Sequence, residues 1–155
     1  DHYSYLEALD YGNGDGVEYE LNKQGNVTKE TWEDGDTVSY KYDNSGALAT
    51  VYDSATGRTT TNYYDFTDRL MKYAVTGTNY SHSVEYRYDD TNNLLSLVES
   101  INGTEKATSY TYDKDNRVTS VSTNGVTETY TYDSYHNVKT AKTEKIKLRI
   151  CWCRF

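Results

Sequence analysis

Proline is absent from this chain of 155 residues, and cysteine occurs only twice, at Cys151 and Cys153. Two cysteines this close together in one strand would form a disulfide only under strain. A metal site needs more ligands than this pair offers. We therefore expect no disulfide framework, no metal site and no cofactor.

The sequence also lacks long apolar runs and any excess of positive charge. No run approaches the ~20 apolar residues of a membrane span, and no stretch has a convincing helical period. The formal net charge is −8, and an acidic surface repels phosphate backbones. These features predict no membrane span and no nucleic-acid partner. Because no basic or apolar leader follows Asp1, we expect any signal peptide to lie upstream or to have been removed.

Tyrosine, by contrast, is abundant, with 18 residues against two phenylalanines. Many tyrosines belong to a recurring Tyr-x-Tyr-Asp motif. Full copies end at Asp43, Asp89, Asp113 and Asp133, a degenerate copy ends at Asp65, and a weaker one ends at Asn22. Successive copies are 20 to 24 residues apart. A period of this size indicates one supersecondary unit stacked on copies of itself.

The residues after each aspartate predict a tight turn between two strands. Three places on comes a residue type that tolerates a positive φ: Gly25, Gly46, Asp68, Asn92, Asn116 or His136. Five places on comes an aliphatic residue: Val27, Leu48, Leu70, Leu94, Val118 or Val138. A second turn signal lies midway between motifs, at Gly35, Gly57, Gly77, Gly103 and Gly125. Each repeat therefore supplies two strands, and we predict an all-β, continuous antiparallel meander of roughly ten to twelve strands.

The motif resembles the YD-repeat (RHS) family of bacterial surface and toxin proteins, which is related to the teneurin ectodomains. Tyr40–Leu48 matches the family pattern most closely, and Tyr110–Val118 follows it with asparagine in place of glycine. In that family the repeats form a β-strip that spirals into a hollow shell, which encloses a toxin domain in polymorphic toxins. The resemblance therefore implies a curved or spiralling β-strip, with too few repeats to close a shell.

This pattern divides the chain into three parts. Residues 1–16 form an N-terminal segment, residues 17–142 form a strip of about six repeats, and residues 143–155 form a basic and apolar terminal strand or tail. The resemblance implies a structural module of a secreted or cell-surface bacterial protein, part of a shell or stalk. Its expected partner is the rest of a larger RHS-type protein. Self-association through edge strands is a further candidate interaction.

The repeated aspartates could be interpreted as catalytic carboxylates, since paired carboxylates carry out acid–base chemistry in glycosidases. One aspartate at a fixed place in each turn is, however, what hairpin geometry already requires. We therefore expect a structural role for the motif residues and no enzyme activity. The predicted structural residues are Tyr40, Tyr42, Asp43, Gly46, Asp65, Tyr86, Tyr88, Asp89, Tyr110, Tyr112, Asp113, Tyr130, Tyr132 and Asp133.

Aromatic residues outside the motif suggest an alternative function. Tyrosine and tryptophan rings on a polar sheet can stack on sugar rings or contact a partner protein, while their polar tips stay hydrated. This alternative is a carbohydrate- or partner-binding module with a glycan or cell-surface ligand. Its candidate ligand contacts are Trp32, Tyr52, Tyr73 and Tyr80, and Trp32 is the first choice.

Two further segments allow more than one interpretation. Residues 11–17 resemble the start of a calcium loop, but the first and twelfth ligands are missing, so we favour a glycine-rich loop. Ile146, Leu148, Ile150 and Trp152 alternate with polar residues or cysteine. This alternation suits one more strand, or a terminus unrelated to the repeats.

Overall fold

The computed structural model describes residues 8–10, 12 and 16–145, and within them every regular element is a β-strand. The strands are β1 (Ala8–Asp10), β2 (Gly16–Leu21), β3 (Val27–Trp32), β4 (Thr37–Tyr42), β5 (Leu48–Asp53), β6 (Arg58–Tyr64), β7 (Leu70–Gly77), β8 (Tyr80–Tyr88), β9 (Leu94–Ile101), β10 (Thr104–Tyr112), β11 (Val118–Thr123), β12 (Val126–Tyr132) and β13 (Val138–Lys145).

The 13 strands belong to one sheet, in which spatial order follows sequence order from β1 to β13. The predicted all-β antiparallel meander is therefore confirmed. The structure has one strand more than the upper end of the expected range. That strand is β1, which lies in the predicted N-terminal segment and pairs with β2, with Leu9 opposite Val17.

A β-bulge follows five of the motif turns. The register shifts between Lys41 and Tyr42 against β5, so that Tyr42 pairs with Leu48 and Ala49 is the extra residue. The same shift occurs in the hairpins β2–β3, β6–β7, β10–β11 and β12–β13. A bulge disrupts the regular ladder and redirects local backbone groups. In these hairpins the second tyrosine position of the motif, filled by tyrosine in all but the first copy, thus lies beside irregular backbone.

Cross-strand pairing sorts the side chains onto two faces, because directly opposed residues point the same way. In β4, Tyr40 and Tyr42 share one face with Val51 and Leu48 of β5, which we call the tyrosine face. The opposite face carries Ser39 and Lys41 with Tyr52 and Thr50, and we call it the hydroxyl face. Strands β10–β13 repeat this division. Their tyrosine face has Tyr110, Tyr112, Val121, Glu128, Tyr130 and Tyr132, and their hydroxyl face has Ser109, Thr111, Ser120, Ser122, Thr129 and Thr131.

Few side chains are fully shielded from solvent. Among the described residues only Val17, Val84 and Thr108 are buried. The chain divides into two compact units. Unit 1 contains the described residues up to Val84 with Ser100–Gly103, and unit 2 contains Glu85–Glu99 with the described residues from Thr104 onward. Because so little of the chain is buried, the stability of each repeat depends on its contacts with the neighbouring repeats.

One of the glycines predicted to form a midway turn has a different role. Gly77 is the last residue of β7, and the positive φ of that turn belongs to Asn79, at 57°. A Cβ on Gly77 would lie 3.0 Å from Cγ of Arg58. Glycine here leaves room for the Arg58 side chain of the neighbouring strand and does not supply the positive φ of the turn.

Several predictions concern residues that lie outside the described part of the chain. They are the extra strand over residues 146–155 and most of the glycine-rich loop, at residues 11 and 13–15. The predicted boundaries of the three parts also stay predictions. Within the described residues, no helix is long and apolar enough to span a membrane.

Candidate functional site

Each motif aspartate organises its own turn, and Asp113 illustrates the geometry. Its Oδ1 accepts hydrogen bonds from the backbone N–H groups of Asp115, at 2.9 Å, and Arg117, at 3.0 Å. The backbone N–H of Asp113 donates to the carbonyl of Arg117 at 2.9 Å, and Asn116 donates back to the carbonyl of Asp113 at 3.1 Å. Asn116 has a φ of 58°. This arrangement matches a hairpin loop that ends in a left-handed residue.

The other motif turns repeat these contacts at closely similar distances. Asp43, Asp65, Asp89 and Asp133 accept from the backbone N–H groups two and four residues later, at 2.8–3.1 Å. Asn22 accepts the same two hydrogen bonds through its amide oxygen, at 3.0 and 2.9 Å. The turn therefore needs an acceptor oxygen at this position, and a negative charge is not essential for the geometry.

Hydrogen bonding to these carboxylates favours their charged form. The side chain of Asn93 and neighbouring turn groups lower the pKa of Asp89 to about 2. The Thr67 hydroxyl, with help from Arg69, holds the pKa of Asp65 well below its usual range. The pKa values of three others, Asp43, Asp113 and Asp133, are also lowered, chiefly by the Ser45 hydroxyl, the Arg117 side chain and the Asn137 backbone N–H respectively. All five aspartates are thus charged acceptors at neutral pH.

The second tyrosine of the motif links its repeat to the preceding one. In four of the repeats its hydroxyl donates to the backbone carbonyl of the aliphatic residue that follows the preceding motif turn, which in three of them lies at the bulge. The pairs are Tyr42 with Val27 at 2.7 Å, Tyr64 with Leu48 at 3.0 Å, Tyr112 with Leu94 at 2.8 Å, and Tyr132 with Val118 at 2.7 Å. We call this contact the hydroxyl–bulge bond. It explains why tyrosine, rather than phenylalanine, occupies this position, since a ring without the hydroxyl cannot donate.

The first tyrosine of the motif makes a more varied contact. The hydroxyl of Tyr40 donates to Glu30 at 3.0 Å, and that of Tyr130 donates to Glu128 at 2.6 Å. Burial and the bond to Glu30 raise the pKa of Tyr40 to about 12. Tyr86 stacks on Tyr88 with ring centroids 6.4 Å apart. These contacts place acidic side chains among the rings of the tyrosine face.

The four candidate ligand contacts do not form one site. Trp32 is 41% exposed and lies at the end of β3 opposite Val17, on the tyrosine face. Tyr52 is 44% exposed and lies on the hydroxyl face. Tyr73 is half-buried against the edge of His82, with ring centroids 5.4 Å apart. The Arg58 guanidinium covers the ring of Tyr80 at 4.1 Å. Trp32 and Tyr52 are thus on opposite faces, and Tyr73 and Tyr80 already contact other side chains.

The residues that sequence analysis overlooked lie four places after the aspartate. Arg117 donates through Nε to Oδ2 of Asp113 at 2.8 Å, and Arg69 does the same to Asp65 at 2.7 Å. Asn93 donates to Asp89 at 3.0 Å. A signal for these residues was present, because arginine or asparagine occurs at this place in five of the six motif copies. No role was assigned to it from the sequence.

The arrangement provides no obvious reactive centre among the described residues. Each motif carboxylate lies in its own turn and is occupied by donors of that turn, and no three His, Cys, Asp or Glu side chains come together as a metal site. No buried polar side-chain atom of the described part lacks a hydrogen-bond partner. What recurs is a contact between repeats rather than a catalytic group.

Comparison with known families agrees with this repeat geometry. The family model of the RHS repeat matches residues 88–127 and again residues 112–145. Residues 88–145 thus match RHS repeats. The resemblance noted from the motif is confirmed, and the matched residues include the hydroxyl–bulge bonds of Tyr112 and Tyr132. No curated protein matches the chain.

Solved structures share the fold of these RHS repeats. The crystal structure of TcdB2-TccC3-Cdc42 is 19% identical over 85% of the chain, with a TM-score of 0.66. The crystal structure of TcdB2-TccC3 is 19% identical over 84% of the chain, with a TM-score of 0.65. The chain spans only about 8% of the length of either structure. At this identity the similarity establishes the fold.

Proposed function

We propose that the chain is a non-catalytic structural segment of a larger RHS-type protein that a bacterium secretes or displays on its surface. In that protein it forms part of a shell or stalk, of the kind associated with toxins in the RHS family. The hydroxyl–bulge bond carries this proposal, because it ties each repeat to the one before and requires no ligand. The small share of each similar structure that the chain covers also supports a segment of something larger.

A repeat scaffold should tolerate the removal of one complete repeat. Deleting residues 114–133 joins Asp113 directly to Ser134 and restores a complete motif turn, while Tyr112 keeps the carbonyl of Leu94 as its acceptor. We expect the shortened chain to unfold cooperatively, with an unchanged β signal per residue by far-UV circular dichroism, because each repeat contacts only its neighbours.

A matched deletion of half a repeat is the control. Removing residues 114–123 deletes β11 and moves β12 into its place, so that the hydroxyl of Tyr132 loses its acceptor, the carbonyl of Val118. This variant should lose cooperative unfolding in unit 2. If removal of the complete repeat unfolds the chain as thoroughly as removal of half a repeat, the scaffold proposal is wrong.

One observation favours carbohydrate binding as a second candidate function. On the hydroxyl face of β10–β13 no tyrosine occurs, whereas in unit 1 this face carries Tyr52 and Tyr63, which are 44% and 51% exposed. Tyr52 lies opposite Thr59, so Tyr63 is displaced by four residues along β6, roughly 14 Å. Two exposed rings at this separation, with threonine hydroxyls between them, suit an oligosaccharide rather than a single sugar.

A glycan array tests this second candidate. If the chain binds a glycan through these rings, Tyr52→Ala and Tyr63→Ala should each weaken binding about fivefold, since a stacked ring contributes about 1 kcal/mol. Tyr135→Ala is the control, because Tyr135 is an exposed ring in a turn of unit 2. A blank array would rule out this candidate and leave the structural function unchanged. Equal losses with the control variant would also count against it.

A further inference from the structure

Side chains of neighbouring motif turns contact each other in unit 2. With the aspartate as position 0, Asn93 is at position +4 of its turn, and its Nδ2 donates to Oδ1 of Asn116 at 2.8 Å. Asn116 is at position +3 of the next turn. One repeat later, Nη1 of Arg117, at position +4, lies 3.1 Å from Nδ1 of His136, at position +3. The same two positions therefore meet twice, with different chemistry.

The side chain at position +4 is held in place before it reaches its neighbour. Asn93 also donates to Oδ2 of its own Asp89, at 3.0 Å. Arg117 is held by Asp113, with Nε 2.8 Å from Oδ2, and its guanidinium lies 4.7 Å above the ring of Tyr132. Because the aspartate already fixes the side chain, little conformational freedom is lost when the next turn is contacted.

The residue at position +3 has a conformation that favours glycine. Asn116 and His136 have φ values of 58° and 67°. Glycine adopts such values without a Cβ penalty, and Gly25 and Gly46 occupy the same position in the first two turns, at 84° and 91°. If backbone conformation were the only requirement, glycine would be the best residue throughout. Asparagine and histidine at this position therefore gain something that glycine cannot offer, a side chain that contacts position +4 of the preceding turn.

Two places in unit 1 lack one partner of this contact and form a natural comparison. Gly46 offers no side chain to Asn26 of the preceding turn, and an open groove of about 640 Å³ lies between these turns. Asp68 has a side chain and a φ of 60°, but the residue at position +4 of the preceding turn is Ala47, whose methyl group cannot donate a hydrogen bond.

We propose that positions +3 and +4 form a turn-to-turn bridge, and that the residue types at these positions determine which neighbouring turns are held together by a side-chain hydrogen bond. The side chain at position +4 supplies the donor, and the side chain at position +3 of the next turn supplies the acceptor. Glycine at position +3 or alanine at position +4 removes the bridge. This inference rests on the proposed structural function and adds to the hydroxyl–bulge bond a second contact between neighbouring repeats.

Glycine substitutions at position +3 test the bridge through the direction of the change in Tm. Loss of a bridge lowers Tm, whereas relief of a positive φ alone raises it. Asn116→Gly and His136→Gly should each lower Tm by about 2–4 °C, because the lost bridge outweighs the relief at positive φ. Asp68→Gly removes no bridge to Ala47, so its Tm should stay unchanged or rise. If all three glycine variants behave alike, the bridge contributes nothing and the proposal is wrong.

A variant that adds a bridge where none exists is the second test. Ala47→Asn places an amide donor at position +4 opposite Asp68 and should raise Tm by about 2 °C. The rise should be smaller in an Asp68→Gly background, where the acceptor is missing. An equal rise in both backgrounds would contradict the bridge. The hydroxyl–bulge bond is untouched in all of these variants, so failure of the bridge would leave the structural function standing.

Discussion

Replacing Tyr42, Tyr64, Tyr112 and Tyr132 together with phenylalanine is expected to leave the chain largely unfolded at room temperature. Each substitution keeps the ring and removes only the hydroxyl that donates to a bulge carbonyl, at 2.7–3.0 Å. A polar group left without its partner costs about 1–2 kcal/mol. Four such losses, about 4–8 kcal/mol, approach the total stability of a typical domain, about 5–15 kcal/mol.

Single variants make the effect measurable by urea unfolding. Tyr132→Phe should lower the free energy of unfolding by about 1–2 kcal/mol. Tyr135→Phe is the matched control, because Tyr135 lies two residues after the motif aspartate and its ring is 82% exposed. That substitution should change stability by less than about 0.5 kcal/mol. Equal effects of the two substitutions would show that the hydroxyl–bulge bond does not stabilise the stack.

Acid is expected to unfold the chain through its turn aspartates. Because the pKa values of Asp43, Asp65, Asp89, Asp113 and Asp133 are lowered in the folded state, the unfolded chain binds protons first. Their stabilising contribution is complete above the unfolded pKa, about 3.9. It is lost as the pH falls through the folded values, near 2 for Asp89. Stability should therefore be nearly constant from pH 7 to about pH 5 and fall steeply below about pH 4.

Asn22 suggests the variant that tests this mechanism. Its amide accepts the same two backbone hydrogen bonds as the aspartates, so Asp89→Asn should preserve the turn while removing one titrating group. Urea unfolding between pH 5 and pH 2 should then show a pH dependence that is smaller by about one proton. An unchanged slope would exclude Asp89 as a source of acid sensitivity.

Much of the fold could be predicted because the repeat combines two local signals. Strand alternation in Tyr-x-Tyr places both rings on one face, and aspartate followed by glycine or asparagine specifies the turn. These signals act within about six residues, so Asp43 and Gly46 suffice to predict one hairpin. The period then supplies the order of the strands. Only the additional pairing of β1 depended on residues outside the motif.

The contacts between repeats could not be predicted in the same way. The hydroxyl of Tyr132 reaches the carbonyl of Val118, 14 residues earlier, and that carbonyl is in position because of a bulge. No residue type specifies a bulge by itself, so the sequence did not identify the Val118 carbonyl as the acceptor. The face of the sheet on which Trp32 or Tyr52 lies depends in the same way on the pairing register of its strand. A shift of one residue exchanges the two faces of a strand.

The strictly sequential order of the strands has a consequence for how the chain folds. Every described strand pairs only with its immediate neighbours in sequence. Pairing two strands therefore requires only a short loop to close. Sheets with such local pairing form faster than those that join distant segments. A polypeptide that emerges gradually, from a ribosome or through a secretion channel, can therefore add one hairpin at a time to the part already formed.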